Sequence, residues 1–157
     1  MRRLSQERVN LAEAAGTLGH PHPGAAIPAS AETTRASRAT WDATGEGRFL
    51  TLRYGWSFEG KPQEGFILLG DDPATGRCEA SWVDSFHNSD RIMPCTGSLA
   101  GEGAISVRGG YAAPPGPDWG WRTELEQPSP GTLVLSQFNI TPGGEEGRAV
   151  EATWRRR

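Results

Sequence analysis

Cysteine is scarce: Cys78 and Cys95 are the only two in 157 residues. A disulfide framework therefore cannot be what holds the chain together, and reduced thiols fit a cytoplasmic setting. Histidine is almost as rare, with His20, His22 and His87. His20 and His22 flank a proline in a loop-like stretch, and two ligands without a third, converging group do not make a metal site. No run approaches the roughly 20 apolar residues that a bilayer-spanning helix requires. The opening Met1-Arg2-Arg3-Leu4-Ser5-Gln6-Glu7 lacks the apolar centre of a secretory signal. The formal net charge of −3 leaves no electrostatic footprint for nucleic acid, and the arginines at the two ends read as solvated. Nucleophile elbow, phosphate loop and dinucleotide fingerprint are all missing. The expectation is a soluble, cytoplasmic protein with no cofactor, no metal, no nucleic-acid partner and no membrane partner.

Turn formers are abundant instead. The 21 Gly and 12 Pro would suggest disorder were they not interleaved with six Trp, five Phe and two Tyr at strand spacing. Turn-type clusters recur along the chain, among them Thr44 to Gly47, Glu59 to Pro62, Asp71 to Gly76 and Asn88 to Asp90. The series continues through Ala100 to Gly103, Pro114 to Asp118, Pro128 to Gly131 and Pro142 to Gly144. Segments of roughly 8–11 residues lie between them, the length of a β-strand, with no space for crossover helices. Sequential strands joined by short turns are antiparallel neighbours. The fold class expected is all-β: a closed antiparallel up-and-down barrel of about nine or ten strands, lipocalin-like, with an interior able to hold a ligand.

Residues 1–30 read differently from the barrel domain at 31–157. Ser5 caps a short helix to about Ala15, with Leu4, Leu11, Ala15 and Leu18 on one stripe and Gly16 at its end. Pro21, Pro23 and Pro28 then enforce a loop. The helix would plug one end of the barrel, a frayed arm being the alternative.

Period-two alternation separates inward from outward side chains. Leu50, Leu52, Tyr54, Trp56 and Phe58 share one face, as do Trp119, Trp121, Thr123 and Leu125, and Val150, Ala152 and Trp154. Cys78, Ala80, Trp82, Asp84 and Phe86 form another, with Ser85 and His87 on its reverse. Hairpin symmetry about Ser89 sets Cys78 near Leu99 and Cys95 near Trp82, about 13 Å apart and too far to bridge. Asp84 would point among aromatics, where a carboxylate must be hydrogen-bonded, paired or protonated. The competing reading makes Asp84 a cap for the turn after it. Asp84, Ser85 and His87 have the residue types of a nucleophilic triad, but adjacent residues on opposite faces cannot form that chain.

The turn Gly70-Asp71-Asp72-Pro73-Ala74-Thr75-Gly76-Arg77, followed by Ser81-Trp82-Val83-Asp84-Ser85, resembles a bacterial family of unassigned function with a lipocalin-like (calycin) barrel. That family carries a Gly-Tyr-Asp-Pro-x-Thr-Gly-Arg-Tyr turn and then a Trp-x-Asp-Ser strand. The likeness runs from about Ala43 to the closing Glu151-Ala152-Thr153-Trp154-Arg155-Arg156. Cys78 stands where the family has an aromatic, and Asp71 where it has tyrosine. In the related nitrobindins a histidine near the C-terminal strands holds haem, and this chain has none there.

Candidate ligand-binding residues are Tyr54, Trp56, Trp82, Asp84, Phe86, Trp121, Phe138 and Trp154, an aromatic lining with few polar groups. No catalytic residue is assigned. The first expectation is a small apolar or aromatic ligand inside the barrel. The alternatives are a cavity enzyme of isomerase or cyclase type using Asp84 as acid/base, and a packed barrel acting through protein contacts, including a homodimer.

Overall fold

The computed structural model describes residues 9–18, 33–45, 48–88, 90–101 and 103–156, with side chains from Ala39 to Arg155. Ten strands follow in chain order: β1 (Val9–Leu18), β2 (Thr33–Thr44), β3 (Phe49–Phe58), β4 (Lys61–Asp72) and β5 (Arg77–Asp84). After these come β6 (Met93–Gly101), β7 (Ala104–Tyr111), β8 (Trp119–Ser129), β9 (Thr132–Ile140) and β10 (Glu146–Arg156). From β2 to β10 each strand pairs antiparallel with its successor, as short Gly- and Pro-containing links dictate.

The expected closed barrel with an N-terminal helix is corrected on both counts. The nine strands β2–β10 form one sheet curled into a half-barrel that does not close on itself, and its edges β2 and β10 share no ladder. No helix occurs among the described residues, and from Val9 onward the stretch expected to be helical lies in strand β1. An edge strand presents a row of unpaired N–H and C=O groups, and only another strand can satisfy that row in sequence. β1 lies between the two edges and meets both through interrupted ladders. Against β10 it pairs Leu11 with Arg156 and Thr17 with Glu151, across a register shift. Against β2 the register shifts twice. The Ser5 cap and the proline-rich loop from His20 to Ser30 lie outside the described residues.

Alternation places the core on the concave side. Leu50, Leu52, Tyr54 and Trp56 of β3 are buried, as are Cys78, Ala80, Trp82 and Asp84 of β5, and Trp121, Thr123 and Leu125 of β8. On β10 both Ala149 and Val150 are buried because the register shifts between Arg148 and Val150. One correction concerns the cysteines: Cys78 pairs with Gly97 and Ala80 with Cys95, so Trp82 lies opposite Met93. The link of β5 to β6 is two residues shorter in register than a hairpin centred on Ser89. Both thiols are free and buried, and burial pushes that of Cys95 up to about 11.

The two ends of the sheet differ. At one end the turns are tight. There Asp72 accepts from Ala74 N at 2.9 Å and from Thr75 Oγ1 at 2.8 Å, while Gly76 takes the left-handed φ of 72° that closes the turn. The opposite end carries the longer connections 85–92, 112–118 and 141–145.

Candidate functional site

β5 ends at Asp84, and the next residues fold back over the concave face instead of continuing outward. The cause is the Asp84 side chain itself. Its Oδ1 accepts the backbone N–H of Phe86 and of His87, each at 3.0 Å, and Asn88 N donates to the Asp84 carbonyl at 3.1 Å. Asp84 therefore caps the turn and faces inward at once. The two sequence readings were not exclusive.

The other carboxylate oxygen is held as fully. Oδ2 accepts from the Tyr54 hydroxyl and from Trp56 Nε1, both at 3.1 Å. Tyr54 in turn accepts from Trp82 Nε1 at 2.8 Å. His87 Nδ1 lies 3.0 Å from Oδ1. An ionised carboxylate only accepts, so this nitrogen carries a proton and donates it to Oδ1. Burial alone would raise the Asp84 pKa, but the His87 hydrogen bond and charge and the two backbone donors outweigh it. The group stays below the ordinary 3.8 and is an anion at neutral pH. Burial first, and the Asp84 charge second, push Tyr54 well above 10, so it remains a neutral donor.

Aromatic rings surround this anion. Trp82 and Trp121 stack with centroids 4.9 Å apart and planes 13° from parallel. The His87 ring stacks on Trp56 at 5.4 Å and sits 5.9 Å from Trp82 and 5.5 Å from Trp121. Phe86 lies at the rim, edge-on to Trp56 at 5.5 Å and against Phe58 at 4.6 Å. Trp154 is fully buried on the neighbouring part of the concave face, 6.1 Å from Tyr54. Gly65 makes room for the cluster: a Cβ there would fall 2.0 Å from the Tyr54 ring.

Seven of the eight expected ligand residues thus line the concave face or its rim. Phe138 is the exception and is corrected. β9 buries Leu133, Leu135, Gln137 and Asn139, which turns Phe138 to the convex side beneath the Arg122 guanidinium, 4.0 Å from its ring centroid. The strand parity of Leu133 and Leu135 carries that signal.

Sequence reasoning missed His87 as an inward residue, because the strand was extended past Asp84. It also missed the polar pairs on β7–β9, where Gln137 Nε2 donates to Thr123 Oγ1 at 3.2 Å and the Tyr111 hydroxyl to Asn139 Oδ1 at 2.8 Å. Ser85 takes no part, since its Oγ donates to Gln63 Oε1 at 2.6 Å and accepts from Glu64 N. An Asp–His pair forms without a serine nucleophile.

Among the described residues no group of three or more His, Cys, Asp or Glu side chains is placed to hold a metal ion, and His20 and His22 lie outside them. Nor is any helix among them long and apolar enough to cross a membrane, which says nothing of a β-barrel. No curated protein matches the sequence. A family model does match, over residues 10–156, nearly the whole chain. The chain belongs to DUF1579, a family of proteins of unknown function.

Proposed function

We propose that the concave face of the half-barrel binds a small apolar or aromatic molecule near the end with the long connections. The observation that carries this reading is the aromatic surface held in one geometry by a single buried anion. Tyr54, Trp56 and His87 each hydrogen-bond Asp84, and Trp82 bonds Tyr54. Rigid aromatic area with a few oriented polar groups is what small-molecule sites offer. Asp84 itself is a positioning residue, since five donors occupy the roughly four lone-pair directions a carboxylate has. That count weighs against the isomerase or cyclase alternative, in which Asp84 would be the acid/base. The Asp-Pro-x-Thr-Gly-Arg turn and Trp-x-Asp-Ser strand would serve as the family's signature because one closes a tight turn and the other builds this cluster. The two free buried cysteines support a reducing, cytoplasmic setting.

Native mass spectrometry of the purified protein, beside its denatured mass, tests the reading. A discrete extra mass lost on denaturation is expected, together with a thermal shift from aromatic compounds. The bare chain mass and no shift across such a panel would overturn it.

A second reading has its own support on the convex side. Phe49 is 46% and Leu68 37% exposed, beside an open groove of about 840 Å³ lined also by Arg48, Asp71 and Arg77. Such a patch of apolar area ringed by both charges suits self-association. Size-exclusion chromatography with Phe49→Ser distinguishes the two: a dimer that dissociates in the variant supports it, and a monomer throughout removes it.

A further inference from the structure

The indole N–H groups of the cluster are unequal. Trp56 donates to Asp84 and Trp82 to Tyr54, whereas Trp121 Nε1 is buried with no hydrogen-bond partner among the described residues, as is Trp41 Nε1 on β2. Trp121 is only 3% exposed, so bulk water does not reach it freely. A buried donor left unmade costs on the order of 1–3 kcal/mol, and native proteins keep few of them. This one belongs to a ring stacked on Trp82 and 5.5 Å from His87, inside the cluster rather than at a fraying edge. A second unpartnered atom is Asn88 Oδ1, on a side chain whose Nδ2 donates to the Trp82 backbone carbonyl at 3.2 Å.

The charge inventory narrows what such a donor takes. Among the described residues no lysine or arginine is buried, and the one buried carboxylate, Asp84, is ionised. A second anion brought close would meet that charge at low dielectric with no buried lysine or arginine to offset it. A neutral acceptor on a flat apolar body meets no such cost, and it gains both the N–H and the ring surface.

We propose that Trp121 Nε1–H is a ligand-binding donor, and that its ligand is an uncharged, planar molecule bearing a carbonyl-type acceptor. This rests on the reading of the concave face as a binding surface. It adds the class of molecule and the atom that selects it.

Three probes of one shape test it: acetylnaphthalene, ethylnaphthalene and naphthoate, titrated against tryptophan fluorescence and by calorimetry. The ketone is expected to bind about tenfold more tightly than the hydrocarbon, the ratio one buried hydrogen bond supplies, with naphthoate the weakest. In Trp121→Phe the ketone should bind no more tightly than the hydrocarbon. In proton–nitrogen correlation spectra of the wild type, the indole signal missing from that variant should move downfield with the ketone and not with the hydrocarbon. Those spectra need no folded variant beyond the assignment. Equal binding of ketone and hydrocarbon, tighter binding of naphthoate, or an advantage that survives in Trp121→Phe would overturn the proposal and leave the binding surface standing. No binding of any probe would overturn both.

Discussion

Asp84 shows how one side chain does two structural tasks. Its Oδ1 ends a strand by capping a turn, and its Oδ2 fixes two aromatic rings on another strand. An asparagine keeps the shape but turns one acceptor into a donor facing donors. Asp84→Asn should therefore cost about 3 kcal/mol, the scale of breaking a buried, charge-assisted network, read as a lower urea midpoint at unchanged slope. The pH dependence has a definite sign. The folded protein binds the Asp84 proton less tightly than the unfolded chain, so its contribution is complete above the ordinary 3.8. It drains away as pH falls below that value, through the lower folded pKa. The gap between wild type and Asp84→Asn should narrow on acidification and hold steady from pH 5 to 7 or so. A gap that widens in acid would show that the carboxylate is protonated in the fold.

Strands set the next constraint, through how closely they approach. Gly97 on β6 sits against β7 so tightly that a Cβ would fall 2.0 Å from the Ser106 carbonyl and 2.7 Å from the Val107 Cα. Both are backbone atoms, so nothing flexible can yield. At Gly55 on β3 the nearest atom is 3.7 Å away, an ordinary contact. Gly97→Ala is expected to destabilise by about 2–3 kcal/mol or more, as overpacking does, with Gly55→Ala well under half of that. Chemical denaturation of both variants checks the ratio, and equal effects would mean that β6 and β7 can separate without cost. On the convex side of the neighbouring strands, Glu146 pairs with both Arg108 and Arg122 at 2.7 Å, and Arg122 with Glu124. These partly exposed pairs contribute register more than stability.

For the whole molecule, the seam is the distinctive feature. β2–β10 form an unbroken meander, while β1 meets its two edges through shifted registers. Backbone amides paired across those two ladders should exchange with solvent faster than amides of β4 to β8, because fewer aligned bonds must break to open them. Hydrogen–deuterium exchange at residue resolution measures this, and uniform protection around the sheet would refute it. Much of this architecture was legible in the sequence. The turn clusters mark the strand ends, and alternation on β3, β5, β8 and β10 assigns the concave face correctly. What was not legible came from parity and edges. A single capped turn reverses the face on which His87 lies, and no local pattern reports that. Phe138 was read inward on its aromaticity, although strand parity turns it out. Residues 9–18 have the composition of a modest helix, and only the unsatisfied edges of a sheet formed far along the chain make them a strand.

The parallel Trp82–Trp121 pair has an optical consequence. Two indoles with centroids 4.9 Å apart are close enough for their transition dipoles to couple, and any twist between those dipoles splits their shared absorption into a paired positive and negative circular-dichroism band. The protein thus carries its own gauge of ring geometry. Anything that slides between the rings, tilts one of them or replaces either will change that band before it changes the sheet signal. A binding event at this surface can therefore be followed without attaching a label.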